Sequence, residues 1–308
     1  MMSKVLVTGG SGFLGTNLIR KLKSEGYYVL APQSKWDLRK QDIAKKVIAG
    51  FLPDFVVHAA GSVGGIGANQ KNPGRFMYEN LAMGMNMIEA TRIEAPKAKF
   101  VMLGTVCAYP KHTQIPFREE DLWNGYPEET NAPYGIAKKS LMKLVETYHE
   151  QYGFNGVNLV PVNMYGPHDH FELQNSHVIP AIILKFHQAM TNDDPNVTLW
   201  GTGQVSREFL YVEDCCDAIV RAIEANPGAE PINIGTGKEI TIKELTETIA
   251  GLMGFDGNLL WDTTKPNGQP RRCLDTSRAK ERLGFEAKTT LRDGLKETIA
   301  WFRENNNV

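Results

Sequence analysis

A short apolar run, Val5-Leu6-Val7, ends in Thr8-Gly9-Gly10-Ser11-Gly12-Phe13-Leu14-Gly15 and passes into an amphipathic stretch over residues 13–23. Strand, glycine-rich turn and helix in that order suit the pyrophosphate of a dinucleotide. Glycines let the backbone approach the phosphates, and the unpaired N–H groups of the first helical turn meet the anion. The spacing of Gly9, Gly12 and Gly15 is G-x-x-G-x-x-G rather than G-x-G-x-x-G, so its weight comes from context. That context is alternation. Further strands are expected over 28–30, 55–58, 100–103 and 156–160. Helices are expected over 43–49, over 80–92, where Leu81, Met85 and Ile88 fall near helical spacing, and over 135–152. The pattern is that of an α/β chain with a Rossmann-type doubly wound parallel sheet.

From about Gly166 the alternation weakens, and Pro167, His168, Asp169 and His170 read as a loop leaving the sheet. A strand over 209–212, a helix over 214–224 and a strand over 232–234 bring the chain back. The expected division is a dinucleotide-binding domain of residues 1–166 with 205–236, and a smaller, discontinuous C-terminal substrate lobe of 167–204 with 237–308. Helices over 241–253 and 291–302 belong to that lobe.

A net charge of −1 over 308 residues exerts no general pull toward nucleic acid or membrane. The apolar run after Met1-Met2-Ser3-Lys4 is too short for a signal peptide, and no later stretch suits a bilayer span. Cys107, Cys215, Cys216 and Cys273 are unpatterned, and the adjacent pair fits neither a zinc knuckle nor a disulfide staple. A reducing cytoplasm is the expected compartment, with Cys215 and Cys216 packed inside a helix. His168 and His170 lie close together, but no third metal ligand is evident, and a loop role is expected for them.

An NAD site usually carries a carboxylate after the second strand to grip the ribose diol. Here the run is Ala31-Pro32-Gln33-Ser34-Lys35-Trp36, with no carboxylate before Asp37. Ser34 and Lys35 suit a 2′-phosphate instead, which favours NADP. Farther along, Tyr134-Gly135-Ile136-Ala137-Lys138 sets two ionisable groups one above the other on a helix face. A phenol is a weak acid at neutral pH until a cation stabilises its anion. Lys138 is that cation, and Thr105, at the end of the preceding strand, is placed to bond the same substrate oxygen.

These parts resemble the extended short-chain dehydrogenase/reductase family over essentially the whole chain. More specific blocks resemble its GDP-L-fucose synthase branch. They are His58-Ala59-Ala60 with Val63-Gly64-Gly65-Ile66-Gly67-Ala68-Asn69, Cys107-Ala108-Tyr109-Pro110, Asn131-Ala132-Pro133-Tyr134, and Asn163-Met164-Tyr165-Gly166-Pro167-His168-Asp169. Asn175-Ser176-His177-Val178-Ile179-Pro180 and Trp200-Gly201-Thr202-Gly203 with Arg207-Glu208-Phe209 complete the set.

The resemblance implies epimerisation of a GDP-4-keto sugar at C3 and C5, followed by reduction at C4 by NADPH, in a homodimer pairing the helices at 80–92 and 135–152. Cys107 matches the family's base and His177 its acid. Thiols become useful bases when a cation or dipole favours the thiolate, and histidine titrates near neutrality. The cofactor site implied comprises residues 9–15, Ser34, Lys35, Ala60, Leu103-Gly104-Thr105-Val106, Tyr134, Lys138, Pro161-Val162-Asn163-Met164 and His177. The GDP-sugar falls to Asn163, Lys185, Trp200, Arg207, Asn267 and Arg271. The family commonly has Asp where this chain has Asn267, and serine where it has Thr105. Another GDP-4-keto sugar, such as a GDP-6-deoxy-heptose, is the alternative substrate. Dehydratases of the superfamily carry Asp-Glu where this chain has Val106-Cys107, which speaks against dehydration.

Overall fold

The computed structural model describes residues 2–33, 35–173, 176–265 and 267–305. The chain opens with β1 (Lys4–Thr8), α1 (Phe13–Ser24), β2 (Tyr28–Leu30), α2 (Gln41–Phe51) and β3 (Phe55–His58). Then follow α3 (Ile66–Lys71), α4 (Pro73–Glu94), β4 (Lys99–Leu103), α5 (Ala132–Tyr152) and β5 (Gly156–Pro161). The next elements are β6 (Asn163–Tyr165), α6 (Val178–Thr191), β7 (Asn196–Trp200), β8 (Ser206–Tyr211), α7 (Val212–Glu224) and β9 (Pro231–Ile234). The chain ends with β10 (Glu239–Thr241), α8 (Ile242–Met253), β11 (Asn258–Asp262), α9 (Ser277–Leu283) and α10 (Leu291–Asn305).

Six strands form one sheet in the order β2-β1-β3-β4-β5-β9, every neighbouring pair parallel. Every residue of β4 and β5 is buried, as expected of parallel strands covered by helices on both faces. Helices α2, α4 and α5 pack side by side in one layer, and α1, α7 and α9 in the other. The strand order reverses between β1 and β3, which opens a crevice beyond their C-terminal ends. The turn after β1 presses on the segment after β3: a Cβ at Gly9 would lie 2.8 Å from Ala60 Cα.

Helix α4 starts well before the expected 80–92 segment. Pro73 stands at its first turn, where a missing N–H costs nothing and the fixed φ favours entry. Its approach to α5 is close: a Cβ at Gly84 would meet Leu141 Cδ1 at 2.3 Å. Cys215 and Cys216 are buried in α7, and all four cysteines are free thiols.

A second apolar core joins α6, α8 and α10 through Ile183, Phe186, Ile249, Leu295 and Phe302. Two small sheets border it, β10-β8-β6 and β11-β7. No helix among the described residues is long and apolar enough to cross a membrane.

Glu208 on β8 staples the C-terminal segments to this frame. Its fully buried carboxylate accepts the backbone N–H groups of Thr236, Gly237 and Leu274. Glu208→Ala leaves these donors buried and unpaired, at about 1–3 kcal/mol each. Urea unfolding of this variant is expected to show a loss of about 3–5 kcal/mol; a loss below about 1 kcal/mol would mean that water replaces the carboxylate.

Candidate active site

At the crevice, the turn after β1 forms a cradle. Gly9 adopts φ +74°, and Gly12, extended at the N-cap of α1, offers no side chain to the helix's free N–H groups. A Cβ at Gly15 would stand 2.1 Å from the Gly9 carbonyl oxygen, so only glycine lets α1 begin this close to the turn. Open backbone donors and a space that a Cβ would fill suit a pyrophosphate. Beyond β2, Asp37 is already engaged, with Arg39 Nε 2.8 Å from its carboxylate. Arg39 also reaches Glu79 at 2.8 Å. Lys35 is exposed nearby, and Ser34 lies outside the described residues.

From the cradle a cleft of about 700 Å³ runs between the main sheet and the α6–β7 region. Thr105, at the end of β4, caps a short 3-10 turn (Val106–Ala108), its Oγ1 accepting the Cys107 N–H at 3.2 Å. Helix α5 begins against this turn. A Cβ at Gly135 would meet the Cys107 carbonyl oxygen at 2.3 Å, so glycine beside Tyr134 is what lets Tyr134 and Cys107 share one wall. Burial pushes the Tyr134 hydroxyl above its ordinary range and Cys107 adds to this, against a smaller opposing effect of Thr105. The phenol therefore keeps its proton at neutral pH, as a donor must.

One helical turn on, Lys138 is buried, its Nζ 3.5 Å from the Ala60 carbonyl oxygen. Burial pushes its ammonium down to about 8. Phe13, Gly104, Val106, Pro161, Val162, Asn163 and Met164 also line the cleft, whereas Leu103 and Leu14 are core residues beside it.

His177 faces this wall as the N-cap of α6. Burial opposes its charged form and the nearby carboxylate of Asp169 favours it; the balance lies above the ordinary imidazole range. Lys185, on the same helix, donates to the Thr198 carbonyl at 2.7 Å and lines the cleft with half-exposed Trp200. The Lys265 ammonium sits 5.7 Å from the Trp200 ring centre.

The segment at 267–273 departs from the sequence reading. Arg271 turns outward to pair with Glu239, and the structure does not bring it to the cleft. Arg272 turns inward: Nη1 lies 3.6 Å from Cys107 Sγ and 3.4 Å from Asn163 Oδ1. Gln269 Oε1 anchors the same guanidinium at 3.0 Å. Successive residues of an extended segment face opposite ways, so one step in register exchanges the two arginines.

Arg207 is recessed, and burial, together with the neighbouring Arg272 charge, pushes its guanidinium down to about 10. Its Nη2 donates to the Asn267 carbonyl at 3.2 Å. The Asn267 side chain accepts the Thr202 N–H at 2.9 Å, closing the loop against residues 201–203. Pro266, next to Asn267, and Asn175, in the block with His177, lie outside the described residues.

Two further groups escaped the sequence reading. Asn131 lines the cleft with a buried Oδ1 that has no partner among the described residues, an acceptor available to a sugar hydroxyl. Asp169, read only as a loop residue, stands behind His177. His168, by contrast, packs its ring on Trp301 at 4.9 Å, in keeping with a loop role.

The family model "NAD dependent epimerase/dehydratase family" matches residues 5–235. A probable GDP-L-fucose synthase of Oryza sativa subsp. japonica is 40% identical over 98% of this chain and 92% of its own length. The GDP-L-fucose synthase of Escherichia coli (strain K12) is 38% identical over 99% and 98%. Among solved structures, a GDP-mannoheptose C4 reductase from Campylobacter jejuni with NADP bound superposes with a TM-score of 0.88 at 29% identity, covering 98% of each chain.

Proposed function

Because the chain belongs to the NAD dependent epimerase/dehydratase family, we propose that it epimerises GDP-4-keto-6-deoxy-D-mannose at C3 and C5 and then reduces C4 to give GDP-L-fucose. The observation that carries this reading is one cleft that presents Thr105, Tyr134 and Cys107 on one wall and His177 facing them.

A 4-keto group acidifies the hydrogens at C3 and C5. Cys107 Sγ takes such a proton, the electron pair moves onto O4, and the hydroxyls of Thr105 and Tyr134 hold the oxyanion. His177 returns a proton to the opposite face. The pair acts at each carbon in turn, exchanging its protons with solvent between the two. NADPH, when bound, supplies the hydride to C4. Tyr134 then gives its proton to O4, and the buried Lys138 cation stabilises the phenolate left behind. The residues that hold the dinucleotide are the 9–15 turn, Lys35 and Lys138, with Lys35 toward the 2′-phosphate. Arg207, Lys185 and Trp200 take the nucleoside diphosphate, and Arg272 takes the place first given to Arg271.

In this reading residues 1–166 with 205–236 form the cofactor domain, and 167–204 with 237–308, together with Arg207 on β8, carry the sugar nucleotide. The working form is a cytoplasmic homodimer joined through α4 and α5, where Tyr78, Met85 and Tyr152 are exposed.

The test is product analysis by NMR after reaction with GDP-4-keto-6-deoxy-D-mannose and NADPH in deuterated water. Deuterium at both C3 and C5 of GDP-L-fucose is the expected result, and unoxidised NADPH with authentic substrate would sink the reading. Asn267, where the family commonly has Asp, favours a second reading: epimerisation, reduction or both on another GDP-4-keto sugar, such as a GDP-6-deoxy-heptose. Faster turnover of the heptose than of the hexose would select it.

The cradle gives a separate expectation. Gly15→Ala forces its new Cβ against Gly9, an overpacking worth about 1–3 kcal/mol. Fluorescence titration is expected to show NADPH affinity falling about 10- to 100-fold. Affinity within about twofold of the parent would mean that the pyrophosphate does not bind at this turn.

A further inference from the structure

We infer that Asp169 is the positioning residue of His177: its buried carboxylate holds ring Nδ1, so that Nε2 is the nitrogen presented to the cleft. The inference rests on the proposed role of His177 as the acid of the epimerisation.

Asp169 lies on the loop between β6 and α6, and its side chain is only 1% exposed. Oδ1 accepts the His170 N–H at 2.8 Å and stands 3.7 Å from His177 Nδ1. Oδ2 is buried with no hydrogen-bond partner among the described residues. A carboxylate that merely caps a turn uses one oxygen and leaves the other to water. Here the second oxygen is withdrawn from water, at a cost of several kcal/mol unless a charge compensates it. The His177 ring, 3.7 Å from Oδ1, supplies that charge when it is protonated. A separation of 3.7 Å suits an ion pair rather than a hydrogen bond, and catalytic contacts commonly tighten only when substrate is bound.

The carboxylate is a fixed point because other elements hold its loop. Asn17 of α1, itself fully buried, donates to the Pro167 carbonyl at 2.9 Å. The His168 ring rests on Trp301 of α10. The ring of His177, in contrast, is 48% exposed on the cleft wall and needs a partner to fix its orientation. It also caps the N-terminus of α6, whose partial positive charge disfavours an imidazolium. The carboxylate offsets that field. Asp169 is the charged side chain acting on the ring among the described residues. The other titratable groups of the cleft are Cys107 and Tyr134 on its sheet side, and Lys185 about two turns along α6.

With Nδ1 tied to Asp169, the neutral ring carries its proton on Nδ1 and the charged ring offers Nε2–H to the sugar. In the proton transfer, the Nε2–H bond breaks as the new C–H bond forms, and the positive charge on the ring is lost. Asp169 favours the protonated ring before that transfer.

The full-length chain with ¹⁵N-labelled histidine, titrated by NMR without substrate, tests the pairing directly; His177→Gln assigns the signal among seven histidines. The expected result is an Nδ1–H neutral tautomer, and a titration that moves to lower pH in Asp169→Asn. An Nε2–H tautomer in the parent, or a titration unmoved in Asp169→Asn, overturns the inference. In deuterated water, Asp169→Asn is expected to slow exchange at C3 and C5 about 100-fold at neutral pH, with its optimum moved toward acid. Reduction of an already epimerised 4-keto sugar should change less than about threefold, and Asp169→Glu should restore part of the exchange. Equal loss of exchange and reduction marks a structural role only, and overturns the inference. Should Asp169→Asn not fold, the parent's tautomer still decides. A parent that exchanges no deuterium defeats the proposed function, while the titration still reads the pairing.

Discussion

Tyr134→Phe is expected to lower kcat for the C4 reduction about 1000-fold while deuterium still enters C3 and C5 at a rate reduced only about tenfold. The two effects differ because the hydroxyl does two different jobs. In reduction it is the sole proton donor assigned to O4, and phenylalanine has nothing to give. In epimerisation it shares the oxyanion with Thr105, so one donor survives. Burial and the neighbouring thiol hold the Tyr134 proton in place at neutral pH, so the parent enters the reaction in the donor state.

Phenolate formation then depends on Lys138, whose charge is lost as pH rises through about 8. kcat/KM for reduction by the parent should therefore be level below that pH and fall above it. NADPH consumption in single-turnover experiments measures the first effect, and its pH series the second. If Tyr134→Phe stops exchange as completely as reduction, the hydroxyl is needed for the enolate and the division of labour fails.

The glycine turn and the Tyr134–Lys138 pair were legible because each is local. A strand end, a turn and a helix start lie within a few residues of one another, and two groups one helical turn apart must share a face. Thr105 was legible for a related reason, since it follows the end of β4, whereas Cys107, in the 3-10 turn beyond it, was singled out only by the family resemblance. Residues that depend on how an extended segment is rolled were not. Arg271 and Arg272 are chemically alike in sequence, and only the anchoring of Gln269 to the Lys111 carbonyl at 2.9 Å, and of Leu274 to Glu208, decides which faces inward.

Asp169 was hidden for another reason. Its importance comes from burial, on a loop whose neighbouring Pro167 and His168 are held by α1 and α10, elements far from it in sequence. The three-residue strands β6 and β10 are likewise too short to carry a period. The start of α4 was missed because its first turns, from Pro73, carry little apolar periodicity, and proline reads as a breaker unless it is seen as an opener.

Cys107→Ala is the complementary substitution, and it is expected to reduce deuterium entry at C3 and at C5 about 1000-fold while C4 reduction continues. The thiol is the one group on the wall between Thr105 and Tyr134 whose conjugate base can take a carbon-bound proton. His177, whose protonated form the neighbouring Asp169 carboxylate favours, is suited to give a proton rather than to accept one. Alanine removes the sulfur that Arg272 Nη1 contacts at 3.6 Å, but leaves the bond of that guanidinium to Gln269 in place, so the wall should keep its shape. The product of the variant should then be the C4-reduced sugar with C3 and C5 unchanged, identified by NMR.

Loss of exchange at only one carbon would assign Cys107 to that position and require a second base for the other. Unchanged exchange at both would remove the thiol from the chemistry altogether. Because Tyr134→Phe retains exchange without reduction and Cys107→Ala retains reduction without exchange, the two variants separate the half-reactions. Reduction that is slower in Cys107→Ala on the unepimerised sugar than on the epimerised one would then show that the cleft fits the product of epimerisation better than its starting material. That preference is what orders the two reactions within a single site.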